Sequence, residues 1–258
     1  RWLIVPWLSV VTVVKDDLEG FQRSIDSLSG QSLNGVELVV VDSSNDPLHI
    51  LGCLESSVIS KRQCEWVEAR GIYPAMNFGL ELARGEYIYF LNAGDVFFDS
   101  MVLADLEEIV SLESPVWVVG RVEILEQNGS RFFSPAWNYQ AEKKVFFARG
   151  LFPPHQGTVV RTEDLRSVGG FDESFCIAAD YASALSLSLV SDPLMTDRVV
   201  ATFSEGGIST LRWQESFREF HRARLKVFTL RGLAAWGERF HYWKHFSSVW
   251  LVRNIRRS

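Results

Sequence analysis

Seven consecutive residues, Leu8-Ser-Val-Val-Thr-Val-Val14, carry no charge and are mostly β-branched. A strand with one wet face alternates apolar and polar residues. A run without that alternation suits a strand covered on both faces, as in the middle of a parallel sheet. Phe21, Ile25 and Leu28 follow at near-helical spacing and predict a helix. Val36-Glu-Leu-Val-Val-Val41 predicts the next strand, which ends on Asp42. Strand, helix, strand in this order implies a parallel pair joined by a crossover.

The pattern continues along the chain. The segment Cys53 to Arg70 has room for a helix and a short strand. Pro74 and Gly85 bracket a further helix, with proline in the first turn and glycine past the end. Glu86-Tyr-Ile-Tyr-Phe-Leu91 predicts a buried strand that runs into the polar turn Asn92-Ala-Gly-Asp95. A helix over about 100–112 and a strand over 116–119 come next. Residues 120–160 are strand-like and aromatic, with turn signals at Asn128-Gly129 and Pro153-Pro154. Helices are predicted near 163–168, closed by Gly169-Gly170, and over 179–190. Beyond Gly206-Gly207 the composition shifts to Arg, Trp, His and Phe at helical spacing. The expected fold is α/β, a Rossmann-like and mostly parallel central sheet flanked by helices. Residues 1–210 form the main domain and 211–258 a basic, aromatic helical extension.

Composition removes several function classes. With 47% apolar and 22% charged residues the chain is globular rather than disordered. Three cysteines, Cys53, Cys64 and Cys176, without a CxxC pair, argue against a disulfide framework or a zinc knuckle and favour a reducing compartment. The stretch Trp2 to Val14, interrupted by Pro6, Ser9 and Thr12, is too short to span a bilayer and lacks a signal-peptide cleavage site. A cytoplasmic location is expected. The net charge of −6 is unevenly divided, because residues 211–258 hold 11 Lys and Arg against 3 Asp and Glu. The acidic remainder speaks against nucleic-acid binding, and the basic tail invites an anionic surface. No GxGxxG and no GxxxxGK[ST] is present, which removes the dinucleotide and P-loop readings.

Ligands of open α/β sheets bind outside the carboxyl ends of the strands. Two predicted strand ends here present acids, Asp42 and Asp95. One carboxylate can accept from the N–H of a nucleotide base, and another can hold a divalent ion bridging two phosphates. The plainer alternative is that both are turn formers or helix caps.

The surrounding sequence goes further. The run Leu8 to Gln31, Val39-Val-Val-Asp42-Ser-Ser-Asn-Asp46, Gly71-Ile-Tyr-Pro-Ala-Met-Asn77-Phe-Gly79 and Ala83-Arg-Gly85 through Asp95 stand in an ordered series. Together they resemble the inverting family-two glycosyltransferases of GT-A fold, in particular bacterial enzymes of exopolysaccharide or colanic-acid-like glycans. The resemblance spans about residues 8–210. It implies a sugar moved from a nucleoside-diphosphate sugar to a hydroxyl of a glycan or lipid-linked acceptor, assisted by Mn or Mg. Asp42 matches the acid at the nucleotide base. Asp95 matches the last acid of the DxD motif, the metal ligand. Asn92 stands where many members have the first Asp, and an amide oxygen can still coordinate a hard cation. Asn77 and Gly79 match a helix lining the donor pocket. Pro74 replaces a usual Asp, Lys15 stands near a frequent Asn, and the loop after Asp42 is shortened.

A second cluster, Gly169-Gly-Phe-Asp-Glu-Ser-Phe175 with Ala178-Ala-Asp180-Tyr181, resembles the family's GGFDE segment and its ED-type motif. Asp180 matches the general base, and Ala179 replaces the preceding Glu. The alternative for Asp180 is a first-turn helix acid. His155-Gln156 matches a pair in this branch that lines the donor or acceptor pocket, with a structural histidine as the alternative. Ser204-Glu205-Gly-Gly-Ile-Ser209 resembles a loop that folds over the diphosphate; the alternative is a plain turn. A catalytically inactive nucleotide-sugar binder is the competing function. A nucleotidyltransferase fits less well, because Lys15-Asp-Asp-Leu-Glu-Gly20 is not a glycine-rich phosphate loop. In the tail, Phe217, Phe220, Leu225 and Phe228, then Trp236, Phe240, Trp243, Phe246 and Trp250, recur among basic residues. That composition suits either a helix in a membrane interface or packing on the main domain.

Overall fold

A computed structural model describes residues 5–126, 128–136, 138–140, 153–204 and 212–255. The elements in order are β1 (Leu8–Val14), α1 (Leu18–Ser29), β2 (Val36–Asp42), α2 (Leu48–Ser56), β3 (Arg62–Trp66), α3 (Ile72–Leu82), β4 (Tyr87–Phe90), β5 (Val96–Phe97) and α4 (Val102–Glu113). They continue with β6 (Trp117–Leu125), β7 (Arg131–Phe133), a 3-10 turn (His155–Gly157), β8 (Thr158–Arg161), α5 (Thr162–Ser167), α6 (Ala179–Val190), β9 (Leu194–Ser204), α7 (Trp213–Val227) and α8 (Gly232–Ile255).

These strands form one sheet in the order β3-β2-β1-β4-β8-β6-β9-β5, with β7 paired to β6. The N-terminal half is parallel: β2 and β4 flank β1, and β3 pairs β2. Beyond β4 the sheet is mixed. β8 runs antiparallel to both β4 and β6, while β9 runs parallel to β6. β1 is buried along its whole length. Val11 and Val13 face a layer formed with Tyr73, Met76 and Leu80 of α3, α6 and Ala223 of α7. Leu8, Val10 and Val14 face the layer of α1, α2 and α4. The absence of polar alternation in residues 8–14 is thus the imprint of a helix layer on each face.

Element edges refine the sequence reading. α3 begins at Ile72 behind Gly71, so Pro74 is its third residue. Its missing N–H is one of those that have no helical partner in a first turn. Gly85 does not close this helix, which ends at Leu82; it lies three residues on, where its N–H donates to the buried Ser9 hydroxyl at 2.7 Å. Asn128-Gly129 makes the β6–β7 hairpin turn, as expected. β9 was not anticipated. α7 lies on the body, with Phe220, Val227 and Phe228 packed against the core cluster. The expected boundary at 210/211 and the loop 205–209 lie outside the described residues.

Gly79 sets how closely α3 approaches β1. A Cβ there would sit 2.4 Å from Val11 Cγ1. Gly79→Ala is expected to lower the urea midpoint at unchanged slope, because overpacking costs about 1–3 kcal/mol. The helix-propensity gain of about 1 kcal/mol offsets only part of that. Gly52→Ala in α2, where an added Cβ meets nothing within 4 Å, is expected to raise the midpoint.

Candidate functional site

The carboxyl ends of β1, β2 and β4 open on one cleft of about 350 Å³, lined by Lys15, Ser43, Gly71, Ala75, Asn92 and others. It lies on the edge of the parallel half-sheet where open α/β sheets take ligands. Asp42 ends β2 here with 0% exposure. One oxygen accepts from Ser44 N at 2.8 Å, and the other is buried with no partner among the described residues. An unsatisfied buried carboxylate oxygen is costly and is a ready acceptor for a ligand N–H.

The Asn92–Asp95 turn leaves β4 beside it. Asp95 N donates to Asn92 O at 3.0 Å, and Gly94 adopts φ +97°, which only glycine takes without strain. Ser24 of α1 fixes the turn from below. Its hydroxyl accepts from Gly94 N at 3.0 Å and donates toward Asp95 O at 2.7 Å. Asn92 Oδ1 is buried and has no partner among the described residues. Loss of water pushes Asp95 up to about 7, against a hydrogen bond from the Gln156 side chain. No group of three His, Cys, Asp or Glu among the described residues could hold a metal alone. Asp95 and Asn92, three residues apart in one turn, are the residues that could offer oxygens to a hard cation here.

Asp180 sits in the first turn of α6. Its Oδ1 accepts from Tyr181 N at 2.8 Å and lies 3.2 Å from the Tyr73 hydroxyl. That hydroxyl is also 2.5 Å from Ile177 O. Desolvation raises Asp180 to about 6. Glu219 of α7 reaches the turn just before it and accepts from Cys176, Ile177 and Ala178 N at 3.0, 2.7 and 3.0 Å. A carboxylate at a helix N-terminus is favoured both by the free N–H groups and by the dipole. Arg224 of α7 donates to the Tyr181 hydroxyl at 3.1 Å and to Glu238 of α8 at 2.6 Å.

The short turn His155–Gly157 lies near both carboxylates. His155 lines a cavity of about 30 Å³ together with Asp180, Ser183 and Phe171. Burial lowers the imidazole to about 4, so it is neutral, and its Nε2 has no partner among the described residues. The neighbouring Gln156 turns to Asp95 instead. Of the residues singled out from the sequence, Asp42, Asn92 and Asp95 lie at or just after the carboxyl ends of β2 and β4, and His155 lines the same small cavity as Asp180. Asn77 does not join them. Its amide exchanges hydrogen bonds with Phe171 N and O, both 2.8 Å, and reaches Glu173 at 2.9 Å. It clasps the Gly169–Phe175 segment to α3, because both of its polar atoms are used up there. Ser24, Tyr73 and Glu219 were not singled out for the site, whereas Gln156 was, as the partner of His155.

The family model for "Glycosyl transferase family 2" matches residues 9–168. The chain belongs to glycosyl transferase family 2. It is a glycosyltransferase, as are the relatives it resembles. A Mycobacterium tuberculosis glycosyltransferase described as uncharacterized is 29% identical over 214 residues, covering 80% of this chain and 78% of that one. A PGL/p-HBAD biosynthesis glycosyltransferase of the same species is 25% identical over the same shares. Among solved structures, S. aureus TarS 1-349 in complex with UDP-GlcNAc superposes with TM-score 0.65 at 17% identity, covering 84% of this chain and 66% of that one. The mannosyltransferase PcManGT from Pyrobaculum calidifontis, in complex with GDP-Man and Mn2+, gives 0.65 at 18%, covering 88% and 65%. A longer TarS chain is spanned to only 39%. At these identities the structures show the fold, which is that of the GT-A glycosyltransferases. The family match includes Asp42, Asn92, Asp95 and His155 and stops short of Asp180.

The raised Asp180 has a thermodynamic signature. A carboxyl whose folded-state pKa exceeds its unfolded value stabilises the fold fully below about pH 4, and that stability is lost as pH rises through about 6. Asp180→Asn is expected to flatten the melting temperature between those pH values in the ligand-free protein. At pH 7 the variant gains about 1–2 kcal/mol, allowing for the part of the carboxyl still open to water. An unchanged pH slope in the variant contradicts this account.

Proposed function

We propose that the chain transfers a sugar, with inversion, from a nucleoside-diphosphate sugar to a hydroxyl of a lipid-linked or growing surface glycan. The observation that carries this reading is the pair of desolvated carboxylates near adjacent residues of one turn, with Gln156 hydrogen-bonded to Asp95 and His155 lining the same small cavity as Asp180. In this reading Asp42 receives the base, and Asp95 with the Asn92 oxygen would hold a divalent cation. That cation, when bound, neutralises charge on the departing diphosphate. Family membership supports nucleotide-sugar use, as do the UDP-GlcNAc and GDP-Man complexes of the structural neighbours. A relative named for PGL/p-HBAD biosynthesis and an O-antigen biosynthesis protein of Myxococcus xanthus support a surface-glycan or glycolipid acceptor.

Asp180 performs the proton transfer. Its carboxylate takes the acceptor O–H proton while that oxygen bonds to the anomeric carbon. The bond from that carbon to the diphosphate oxygen breaks, and its electron pair leaves with the nucleoside diphosphate. A base near 6 is ionised at neutral pH yet more basic than a water-exposed aspartate, which favours this role. Neutral His155 can accept or donate one hydrogen bond to a sugar hydroxyl beside it.

Asp95→Ala is expected to abolish nucleoside-diphosphate release and to remove the manganese-dependent part of thermal stabilisation by nucleoside diphosphate. Full activity in that variant overturns the assignment. Asp180→Asn should bind donor normally and transfer about a hundredfold to ten-thousandfold more slowly. Loss of donor affinity with turnover retained would make Asp180 a donor ligand instead. Wild-type kcat/KM should fall on acidification through about pH 6. Tyr73→Phe should move that limb upward, because the tyrosine hydrogen bond holds Asp180 down. The neutral Asn92 and the loss of an acid at Ala179 favour one competitor, a nucleotide-sugar binder without turnover. Such a protein would be stabilised by donor and would release no diphosphate with any acceptor.

A further inference from the structure

α8 has two unlike faces. Toward the body, Glu238 pairs with Arg224 and His221 of α7, Tyr242 stacks on His221 with ring centroids 4.8 Å apart, and Phe246 stacks on Trp213 at 5.4 Å. Away from the body, Leu233, Trp236, Phe240 and Trp243 are 90%, 69%, 70% and 62% exposed. At 100° per residue these four fall within an arc of about 80°, with Arg239 just beyond one edge and Lys244 just beyond the other. Arg239 lies over the Trp236 ring, 5.9 Å from its centroid.

We propose that this face of α8 docks the enzyme on an anionic lipid surface, lying in the membrane interface with its aromatic stripe among the upper acyl chains. Three observations choose lipid over another protein. The apolar stripe is flanked by cations on both sides, the arrangement that places rings in the apolar boundary and charges at lipid phosphates. Residues 231–258 hold six Lys or Arg and one acid, Glu238, which is already neutralised by α7. The chain before residue 211 is strongly acidic, so an anionic membrane attracts the tail and repels the rest, which fixes orientation. Among the described residues no helix is long and apolar enough to cross a membrane, so the contact is peripheral. α7 takes no part, because its apolar side is spent on the core. The inference names a partner for the glycan-transfer reading but does not depend on it, since lipid binding needs no donor.

The test is co-sedimentation of the full chain, without nucleotide sugar, with vesicles of phosphatidylcholine alone or mixed with phosphatidylglycerol. Wild type should bind the mixed vesicles at low salt, weaken as salt rises, and bind phosphatidylcholine poorly. Trp236→Ser/Phe240→Ser/Trp243→Ser should lose at least about tenfold in affinity while keeping the wild-type melting temperature. Arg239→Glu/Lys244→Glu should lose a similar factor on the mixed vesicles. The proposal is overturned if wild type stays in the supernatant at low salt, or if the triple variant binds equally well. It is also overturned if wild type is a lipid-free dimer that the triple variant makes monomeric, which would assign the stripe to a second copy. Donor turnover measured without vesicles tests the glycosyl-transfer reading separately.

Discussion

A strand paired on both edges and covered on both faces cannot slip by a residue without turning its side chains inside out. β1 is in that position. Val14 is level with Asp42 of β2, and Val11 is level with Phe90 of β4. The two acid-bearing strand ends are therefore brought out at the same edge of the sheet by backbone pairing alone. Gly79 lets α3 close down on Val11, so the wall carrying Gly71, Ile72 and Ala75 follows from the same strand. The cleft inherits its shape from β1, whose last two residues, Val13 and Val14, also line it.

The price of this arrangement is electrostatic. Asp42, Asp95 and Asp180 all sit where water is scarce, and no Lys or Arg ion pair to any of them is found among the described residues. Buried acids are normally matched by a cation or a full set of hydrogen bonds. Here the matching groups are partial: Ser44 N for Asp42, Gln156 for Asp95, and Tyr181 N with Tyr73 for Asp180. Such incomplete satisfaction costs stability in the ligand-free protein and leaves each carboxyl able to respond to what binds it.

The parallel half of the fold was legible because its residues obey one rule each. Runs such as Val36–Val41 have no reason to be apolar throughout unless covered on both sides. β9 was illegible for the opposite reason. Thr196, Asp197 and Arg198 break its apolar pattern, and Arg198 belongs there only because Asp99 and Asp105 come from elsewhere to pair with it. The acids of the candidate site could be found by their place after strands and by family resemblance. Glu219 could not, since a surface-patterned helix gives no sign that one of its acids caps another helix 41 residues earlier. Asn77 shows the converse hazard. It is a polar residue in the right motif, yet its hydrogen bonds are spent on holding Phe171 in place.

His155 and Gln156 are joined by a single peptide bond, so their Cα atoms are about 3.8 Å apart whatever the rest of the protein does. One reaches the Asp180 cavity and the other reaches Asp95, which lie on segments far apart in the chain. The two halves of the candidate site thus share a covalent yardstick one residue long. Loops around the cleft can lengthen or change composition to suit a new acceptor without altering that measure. Whatever drift such changes bring, the Cα spacing between the residue at Asp95 and the residue lining the Asp180 cavity stays set by a bond that thermal motion does not stretch.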